Sequence, residues 1–367
     1  MRKIMMAAPF TGEGRNPGGI CTVVQGLMSA RKLLEQEGIE VIPFNTCRRT
    51  RTVSGEGKFS LENLQNFYRN CVDSVKQLRR EPTDVFYIHT SVKLALVKDV
   101  WLLRRVKKKI GCKTVLHIHS AEVRTILTGI KFLDTWTVRT IAKYADMTVV
   151  LSRQILETMV QLGLNRDKCR MLYNYMALDE PVADPPKKQA DTPVSLLFMG
   201  VVRESKGVVD LLEVLKQVDK PFKLDVCGTF WDGQIEKQFE EYQQVLGEKL
   251  RYHGFVVGEK KKEMFRQADV LVLPSYSEGL PMVVLEAFGS GCGIISTRVG
   301  ALPEIVGKEN GILIKPGDRQ ALREALEQYI SMDQEQLHQQ KLRNLDVAEI
   351  FTLDRFVKGL SEICHQV

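Results

Sequence analysis

The chain has 367 residues, of which 44% are hydrophobic and 26% are charged. This length suits two domains, the composition is that of a globular protein, and no apolar run approaches the roughly 20 residues that cross a bilayer. Charge is uneven: residues 1–185 hold 29 Lys and Arg against 18 Asp and Glu, a net charge of +11, within a total of +7.

The N-terminus and the cysteines restrict the compartment. The sequence MRKIMMAAP has basic residues but an apolar run too short for a signal peptide, so it predicts a first strand and a cytoplasmic protein. The eight cysteines stand singly, without C-x-x-C spacing, which favours free buried thiols over disulfides or zinc sites.

Strands and helices alternate through residues 1–180, which predicts a first domain with a parallel, doubly wound α/β sheet. The predicted strands are 4–9, 40–45, 84–89, 114–119, 147–152 and 170–174. The predicted helices are 20–36, 61–80, 92–110, 132–145 and 153–162.

Within the third helix, residues 100–110 read VWLLRRVKKKI. Apolar residues recur at helical spacing beneath a cationic face that includes Arg104, Lys107 and Lys108. Such a helix can rest on an anionic membrane surface, and it can equally be an ordinary surface helix with solvated lysines. Nucleic acid is not expected as a partner, because no basic, aromatic-interleaved module accompanies the charge.

A Pro-rich and polar stretch at 181–193 interrupts every periodicity and predicts an interdomain linker. The alternating pattern then resumes over residues 194–350, which predicts a second doubly wound domain. Its predicted strands are 195–200, 223–228, 251–255, 270–274, 293–296 and 312–315. A last helix near 353–364, in a tail of residues 351–367, could cross back onto the first domain.

Two acids stand out in the stretch 268–297. Glu278 follows the buried strand 270–274, at the end of a parallel strand where open α/β sheets bind ligands. Pro281 fits the first position of the next helix, and Glu286 lies inside that helix among apolar neighbours. A buried carboxylate needs a partner, and the free N–H groups of the helix start can hold a phosphate. A nucleotide sugar offers hydroxyls to the acids and phosphate to the amides.

Glu278 and Glu286 enclose seven residues, EGLPMVVLE, and this segment resembles the E-x7-E motif of group 1 (family 4) nucleotide-sugar glycosyltransferases. The resemblance extends through GALPEIV at 300–306 and NGILIKPGD at 310–318. It implies a GT-B fold, with two Rossmann-like domains facing each other across a cleft. It also implies that the transferred sugar retains its anomeric configuration, that Glu278 holds sugar hydroxyls and that Glu286 holds ribose hydroxyls.

The resemblance assigns two features of the first domain. Gly18 and Gly19 precede the first helix, and they resemble the family's Gly-Gly loop, which faces the donor phosphates and the acceptor. His119 ends the strand at 114–119, where a ligand cleft is expected. A structural histidine is the simpler interpretation from the residues alone, but His119 matches the family's active-site histidine, which contacts the transferred sugar. His89 ends the neighbouring predicted strand and is a weaker candidate.

The second domain opens with a strand, a glycine turn and the cations Arg203 and Lys206, a pattern typical of a diphosphate site. Lys206 matches the family's lysine. The family's arginine position is Val201 here, so Arg203 is either a displaced replacement or an exposed turn residue. The remaining donor-binding candidates follow Glu278 without a gap: Gly279, Leu280, Pro281 and Met282.

These residues predict an enzyme, with His119, Glu278 and Lys206 as its catalytic candidates, that takes a UDP- or GDP-sugar as donor. The expected acceptor is a lipid-linked or growing surface glycan, at the inner face of the membrane. No metal is expected, because cations and helix N–H groups can stabilise the leaving diphosphate and no Asp-x-Asp ends a strand. The alternatives are a transferase for a small soluble acceptor and a catalytically silent sugar-nucleotide or glycan-binding partner.

Overall fold

The computed structural model describes residues 1–10, 19–46, 61–120, 127–176, 188–189 and 192–367, with residues 61–63 described by their backbone alone. The chain divides into two compact units. The first unit contains Met1–Asn174 and Leu353–Val367, and the second contains Tyr175–Thr352. Most of the predicted linker at 181–193 lies outside the described residues.

The first unit is built on a six-stranded parallel sheet with strand order β2-β1-β3-β4-β5-β6. Its strands are β1 Arg2–Ala8, β2 Ile39–Asn45, β3 Val85–Thr90, β4 Lys113–Ile118, β5 Met147–Val150 and β6 Cys169–Met171. All residues of β3 and β5 are buried, as expected for parallel strands covered on both faces.

Helices join these strands in alternation. They are α1 Gly19–Ser29, α2 Arg31–Gln36, α3 Leu61–Arg80, α4 Leu94–Lys109, α5 Lys131–Tyr144 and α6 Arg153–Gln161. The prediction of a single helix over 20–36 is wrong in one respect. The helix is interrupted at Ala30, whose backbone is non-helical (φ −88°, ψ 32°), so two helices form instead of one.

The C-terminal helix, α14 Leu353–Gln366, packs within the first unit. Its apolar side chains Phe356, Val357 and Leu360 are buried. The Arg2 side chain donates to the backbone oxygens of Cys364 and Val367, at 3.0 Å and 2.6 Å. The two ends of the described chain therefore meet in one unit.

The second unit has its own six-stranded parallel sheet, with strand order β12-β11-β10-β7-β8-β9. Its strands are β7 Val194–Met199, β8 Phe222–Cys227, β9 Leu250–Gly254, β10 Val270–Leu273, β11 Gly293–Thr297 and β12 Gly311–Ile314. The first and fourth strands of the unit, β7 and β10, are neighbours, so the order reverses between them. Ligands of open α/β sheets bind at such a switch point.

The helices of the second unit again alternate with strands. They are α7 Val208–Leu215, α8 Gly233–Leu246, α9 Gly258–Gln267, α10 Met282–Gly289, α11 Leu302–Ile305, α12 Arg319–Ile330 and α13 Gln334–Ala348. Both sheets confirm the predicted α/β architecture of two Rossmann-like, doubly wound folds. In the described part of the chain, no helix has the length and apolarity needed to cross a membrane.

The basic helix α4 lies with its apolar face on the core of the first unit. Val100, Leu103 and Val106 have no exposed surface. On the other face, the Lys107 ammonium donates to Asp146 at 2.5 Å and to the Cys112 carbonyl at 3.1 Å. The hydrophobic side of the stretch 100–110 therefore packs into the fold, and the exposed side chains of the stretch are Lys108 and Lys109.

Candidate functional site

A polar cluster occupies the switch point of the second unit, where the chain leaves β7 and β10. The loop after β7 contains a 3₁₀ turn, Glu204–Lys206, and the loop after β10 leads into α10. Lys206 and Glu278 lie in these two loops and form an ion pair with an Nζ–Oε1 distance of 2.6 Å. Both side chains are largely buried, so the pair is held in a low-dielectric environment.

Backbone contacts fix the two loops against each other. The Tyr276 N–H donates to the Ser205 carbonyl at 3.0 Å, and the Ser275 hydroxyl donates to the same oxygen at 3.2 Å. Gly207 has a φ of +71°, and a Cβ there would lie 2.1 Å from the Pro274 carbonyl oxygen. Only glycine permits this approach, which sets the position of Lys206.

Glu286 has no exposed surface and projects from α10. Its Oε1 accepts a hydrogen bond from the Lys261 ammonium of α9 at 2.5 Å. Its Oε2 is buried and has no hydrogen-bond partner among the described residues. Burial raises the pKa of the Glu286 carboxyl, and the Lys261 charge acts in the opposite direction. The unpartnered oxygen is suited to accept a hydroxyl hydrogen from a ligand.

The predicted donor-binding segment connects the two acids. Pro281 is the N-cap of α10, one residue before the predicted position, and the helix begins at Met282 without a side-chain cap. Leu280 is buried, and the Gly279 carbonyl accepts from the Ala301 N–H at 3.1 Å. The first N–H groups of α10 have no acceptor within the helix and are available in principle to an anion.

Arg203 precedes the 3₁₀ turn that carries Lys206. Its guanidinium lies 5.3 Å from the ring centroid of Trp231, within cation–π distance, and its buried Nε has no hydrogen-bond partner in the described structure. The neighbouring Val202 forms a bridge with Phe230, which anchors this stretch beside the sheet. Arg203 is therefore held by an aromatic ring and retains unused donor capacity.

The first unit places three histidines at the carboxyl ends of β3 and β4. His89 pairs with His117 in the sheet register, and His119 follows directly after β4. His89 Nδ1 and His119 Nε2 are 2.7 Å apart, and His117 Nδ1 lies 2.9 Å from the Tyr87 hydroxyl. Sequence reasoning gave no role to His117 or Tyr87, although strand alternation already puts His117 and His119 on one face.

Burial lowers the pKa of His119 to about 3, and it lowers the pKa of His89 and His117 well below their usual range. The three rings are therefore neutral at physiological pH. One nitrogen from each lies within 4.8 Å of the others, so they could reach a common metal ion. The 2.7 Å contact is shorter than the roughly 3.3 Å between two nitrogens on one zinc ion, and it is a hydrogen bond between the His89 and His119 rings.

The other predicted site residues are less informative. Gly18 lies outside the described residues, and Gly19 is the exposed first residue of α1.

The sequence did not predict Lys261 as a site residue, because its contact with Glu286 joins residues 25 positions apart on different helices. The sequence indicates only that a buried Glu286 carboxylate needs a cationic partner. It does not indicate which lysine or arginine that partner is.

Two family profiles match consecutive parts of the chain. The profile described as Glycosyltransferase Family 4 matches residues 20–180, and the profile described as Glycosyl transferases group 1 matches residues 180–344. The first falls mainly on the unit with the histidine cluster. The second includes Lys206, Glu278 and Glu286.

Curated relatives are distant. A 41.2 kDa protein in the cps region of Klebsiella pneumoniae is 23% identical over 303 residues, which is 79% of this chain and 80% of that protein. Lipopolysaccharide 1,6-galactosyltransferase of Salmonella typhimurium is 26% identical over 182 residues, which is 47% of this chain and 49% of that enzyme.

Solved GT-B structures share the fold over the whole chain. Sucrose-phosphate synthase from Thermosynechococcus elongatus has a TM-score of 0.79 at 18% identity, covering 100% of this chain and 99% of that one. Anabaena HepE in complex with UDP-glucose has a TM-score of 0.68 at 16% identity, covering 100% of both chains. At these identities the likeness establishes the fold alone.

Proposed function

We propose that this chain, a glycosyltransferase of the group 1 type, transfers one sugar from a UDP- or GDP-sugar to a lipid-linked or growing glycan in surface polysaccharide synthesis. The observation that carries the proposal is the unpartnered Oε2 of Glu286, buried beside the switch point of the second sheet. A relative named as a lipopolysaccharide galactosyltransferase supports the acceptor class, and a fold neighbour in complex with UDP-glucose supports the donor class.

The second unit would hold the donor. Glu286 Oε2 accepts a ribose hydroxyl, and the first N–H groups of α10 receive the diphosphate. Lys206 turns from Glu278 toward the phosphates, which leaves the Glu278 carboxylate free to accept hydroxyls of the transferred sugar. Arg203 adds a second cation to the diphosphate.

The chemical step would depend on stabilising the leaving group. As the bond from the anomeric carbon to the diphosphate oxygen breaks, negative charge grows on the diphosphate while the sugar becomes cationic. Lys206, Arg203 and the helix N–H groups stabilise that negative charge, so this part of the reaction needs no metal ion.

Retention of the anomeric configuration follows if the acceptor hydroxyl attacks on the face from which the diphosphate leaves. The acceptor proton then passes to the departing phosphate oxygen, and the new bond forms between the acceptor oxygen and the anomeric carbon. Neutral His119 would position the transferred sugar through a hydrogen bond. We propose that the reaction takes place at the inner face of the membrane, where a lipid-linked acceptor is found.

The experiment is slow donor hydrolysis by the purified chain. A panel of UDP- and GDP-sugars first identifies the one that stabilises the protein against heat, since selective binding raises the melting temperature by mass action. Nucleotide release from that donor should then be abolished in Glu278→Gln and in Lys206→Ala. Glu327→Gln, which alters an exposed ion pair with Arg323 on α12, is the matched control and should keep the wild-type rate.

Equal rates in all four proteins would contradict an enzymatic role. The same outcome together with selective donor binding would favour the silent binding partner. Identifying the configuration of the released or transferred sugar at early times tests retention separately, because inversion would refute the mechanism and leave the transferase activity standing.

A further inference from the structure

A basic groove lies on the first unit between α4 and α5, with a cavity volume of about 600 Å³. Four of its lining side chains are cationic: Arg104, Lys131, Arg139 and Lys143. Three others are aromatic: Phe132, Trp136 and Tyr144. We refer to these seven residues as the α4/α5 groove.

The helix α5 creates the groove through two parallel rows of side chains. Lys131, Arg139 and Lys143 fall in one row at multiples of four residues, and the aromatic residues fall in the adjacent row. Positive charge therefore runs beside aromatic surface along the whole helix. Arg104, from α4, adds a fourth cation to the groove.

The cations of the groove have no carboxylate partner. Within the described ranges, none of the four is in an ion pair with an acid, and no acid lines the groove. Asp134, in the first turn of α5, instead accepts hydrogen bonds from the backbone and hydroxyl of Thr128 and from the Gly129 N–H. Arg104 and Lys143 both lie within 6 Å of the Tyr144 ring centroid, at 5.8 Å and 5.6 Å.

Apolar side chains project beside these cations. Phe132 is 71% exposed and Ile130, at the N-cap of α5, is 51% exposed. The apolar face of α4, in contrast, is buried in the core, so this helix supplies charge but no inserting group. Exposed aromatic and aliphatic groups next to unpaired cations match the boundary between phosphate head groups and acyl chains.

We propose that the α4/α5 groove is the surface by which the chain docks on an anionic bilayer, with Phe132 and Ile130 entering the interface and the four cations contacting lipid phosphates. The inference rests on the proposed function, because a lipid-linked acceptor is delivered at a membrane. It places the docking surface on α5, whereas the basic sequence alone pointed to α4.

The charge and shape of the groove favour a bilayer over a small anion. Three of the four cations are spread along a helix of 14 residues, so Lys131 lies about three turns from Lys143 and the four charges do not share one point. A free phosphate would use at most part of this row, and it would leave Phe132 exposed. A bilayer satisfies both the charges and the apolar side chains.

The test is co-sedimentation of the full chain with phosphatidylcholine vesicles, prepared with and without phosphatidylglycerol. We expect wild type to bind the anionic vesicles and to be released by salt. Arg139→Gln with Lys143→Gln should weaken binding roughly fivefold per lost charge. Lys76→Gln with Arg80→Gln is the matched control, because it removes the same charge at the same spacing from exposed sites on α3.

Phe132→Ser separates insertion from charge: it should weaken binding to anionic vesicles at low salt without changing how steeply salt reduces that binding, whereas loss of the cations should make the salt dependence shallower. Equal binding of the groove and control variants would overturn the proposal, as would wild type that shows no preference for anionic lipid or that binds a DNA duplex more tightly than vesicles. All these variants should hydrolyse the donor at the wild-type rate without lipid, so loss of docking is distinguishable from failure of the proposed activity.

Discussion

The Lys261 ammonium lies 2.5 Å from Oε1 of Glu286, a carboxylate with no exposed surface. This contact joins α9 to α10 and leaves the second carboxylate oxygen without a partner among the described residues. The Lys261 charge thus compensates the buried carboxylate, while the second oxygen of that carboxylate remains available to the proposed donor.

Lys261→Met should destabilise the protein by roughly 3 kcal/mol, because removal of one member of a buried pair leaves the other uncompensated. The pKa of Glu286, already raised by burial, should rise further. Lys261→Met combined with Glu286→Gln should recover part of the lost free energy of unfolding. Urea denaturation of the four proteins measures this cycle, and strict additivity would show that the two residues do not interact.

Glu286→Gln should weaken binding of UDP by roughly ten- to a hundredfold, because a hydrogen bond to a charged group is worth roughly 1.5–3 kcal/mol. The nucleotide analogue 2′,3′-dideoxy-UDP lacks the ribose hydroxyls, so wild type and Glu286→Gln should bind it with equal affinity. Calorimetric titration of both ligands checks this. A similar loss for both nucleotides would place Glu286 outside the ribose contact.

Gly207→Ala should cost more than about 2 kcal/mol of stability, because alanine is strained at a φ of +71° and its Cβ would collide with the Pro274 carbonyl. Gly254→Ala is the matched control: Gly254 has a φ of +66°, but a Cβ added there would meet no atom within 4 Å, so only the backbone strain of about 1 kcal/mol is expected. Thermal unfolding compares the two. Equal losses would mean that the loop adapts to the contact.

Acid should destabilise the first unit through its buried histidines. The folded-state pKa of His117 lies well below its usual value, so the unfolded chain binds an extra proton as the pH falls below about 6.5. The stabilisation is complete above that pH, and at pH 5 roughly 2 kcal/mol is lost for each such histidine. His117→Asn should make the unfolding free energy less dependent on pH between pH 5 and pH 7.

His89→Leu should reduce kcat about tenfold with little change in KM, because the 2.7 Å hydrogen bond that orients His119 is lost. His89→Asn should restore part of the rate. Since the pKa of His119 is about 3, the rate should show no histidine titration between pH 5 and pH 8. A step near pH 6.5 in wild type would contradict the neutral histidine cluster.

The strands were predictable because parallel strands covered on both faces read as short apolar runs, and residues 270–273 illustrate this. The interruption of the helix at Ala30 was not predictable, because the neighbouring residues give no signal that a helix ends there. Glu278 and Lys206 were predicted individually from their places after strands. Their ion pair requires β7 and β10 to be neighbours, which depends on strand order rather than on local pattern.

The connection between Arg2 and α14 has a consequence for biosynthesis. The hydrogen bond to Cys364 spans 362 positions, so the first unit cannot be completed until nearly the whole described chain has been translated. The second unit is one continuous segment, so it can fold before α14 has been synthesised and has packed on the first unit. During translation, the half synthesised first is therefore the last to acquire its full set of native contacts.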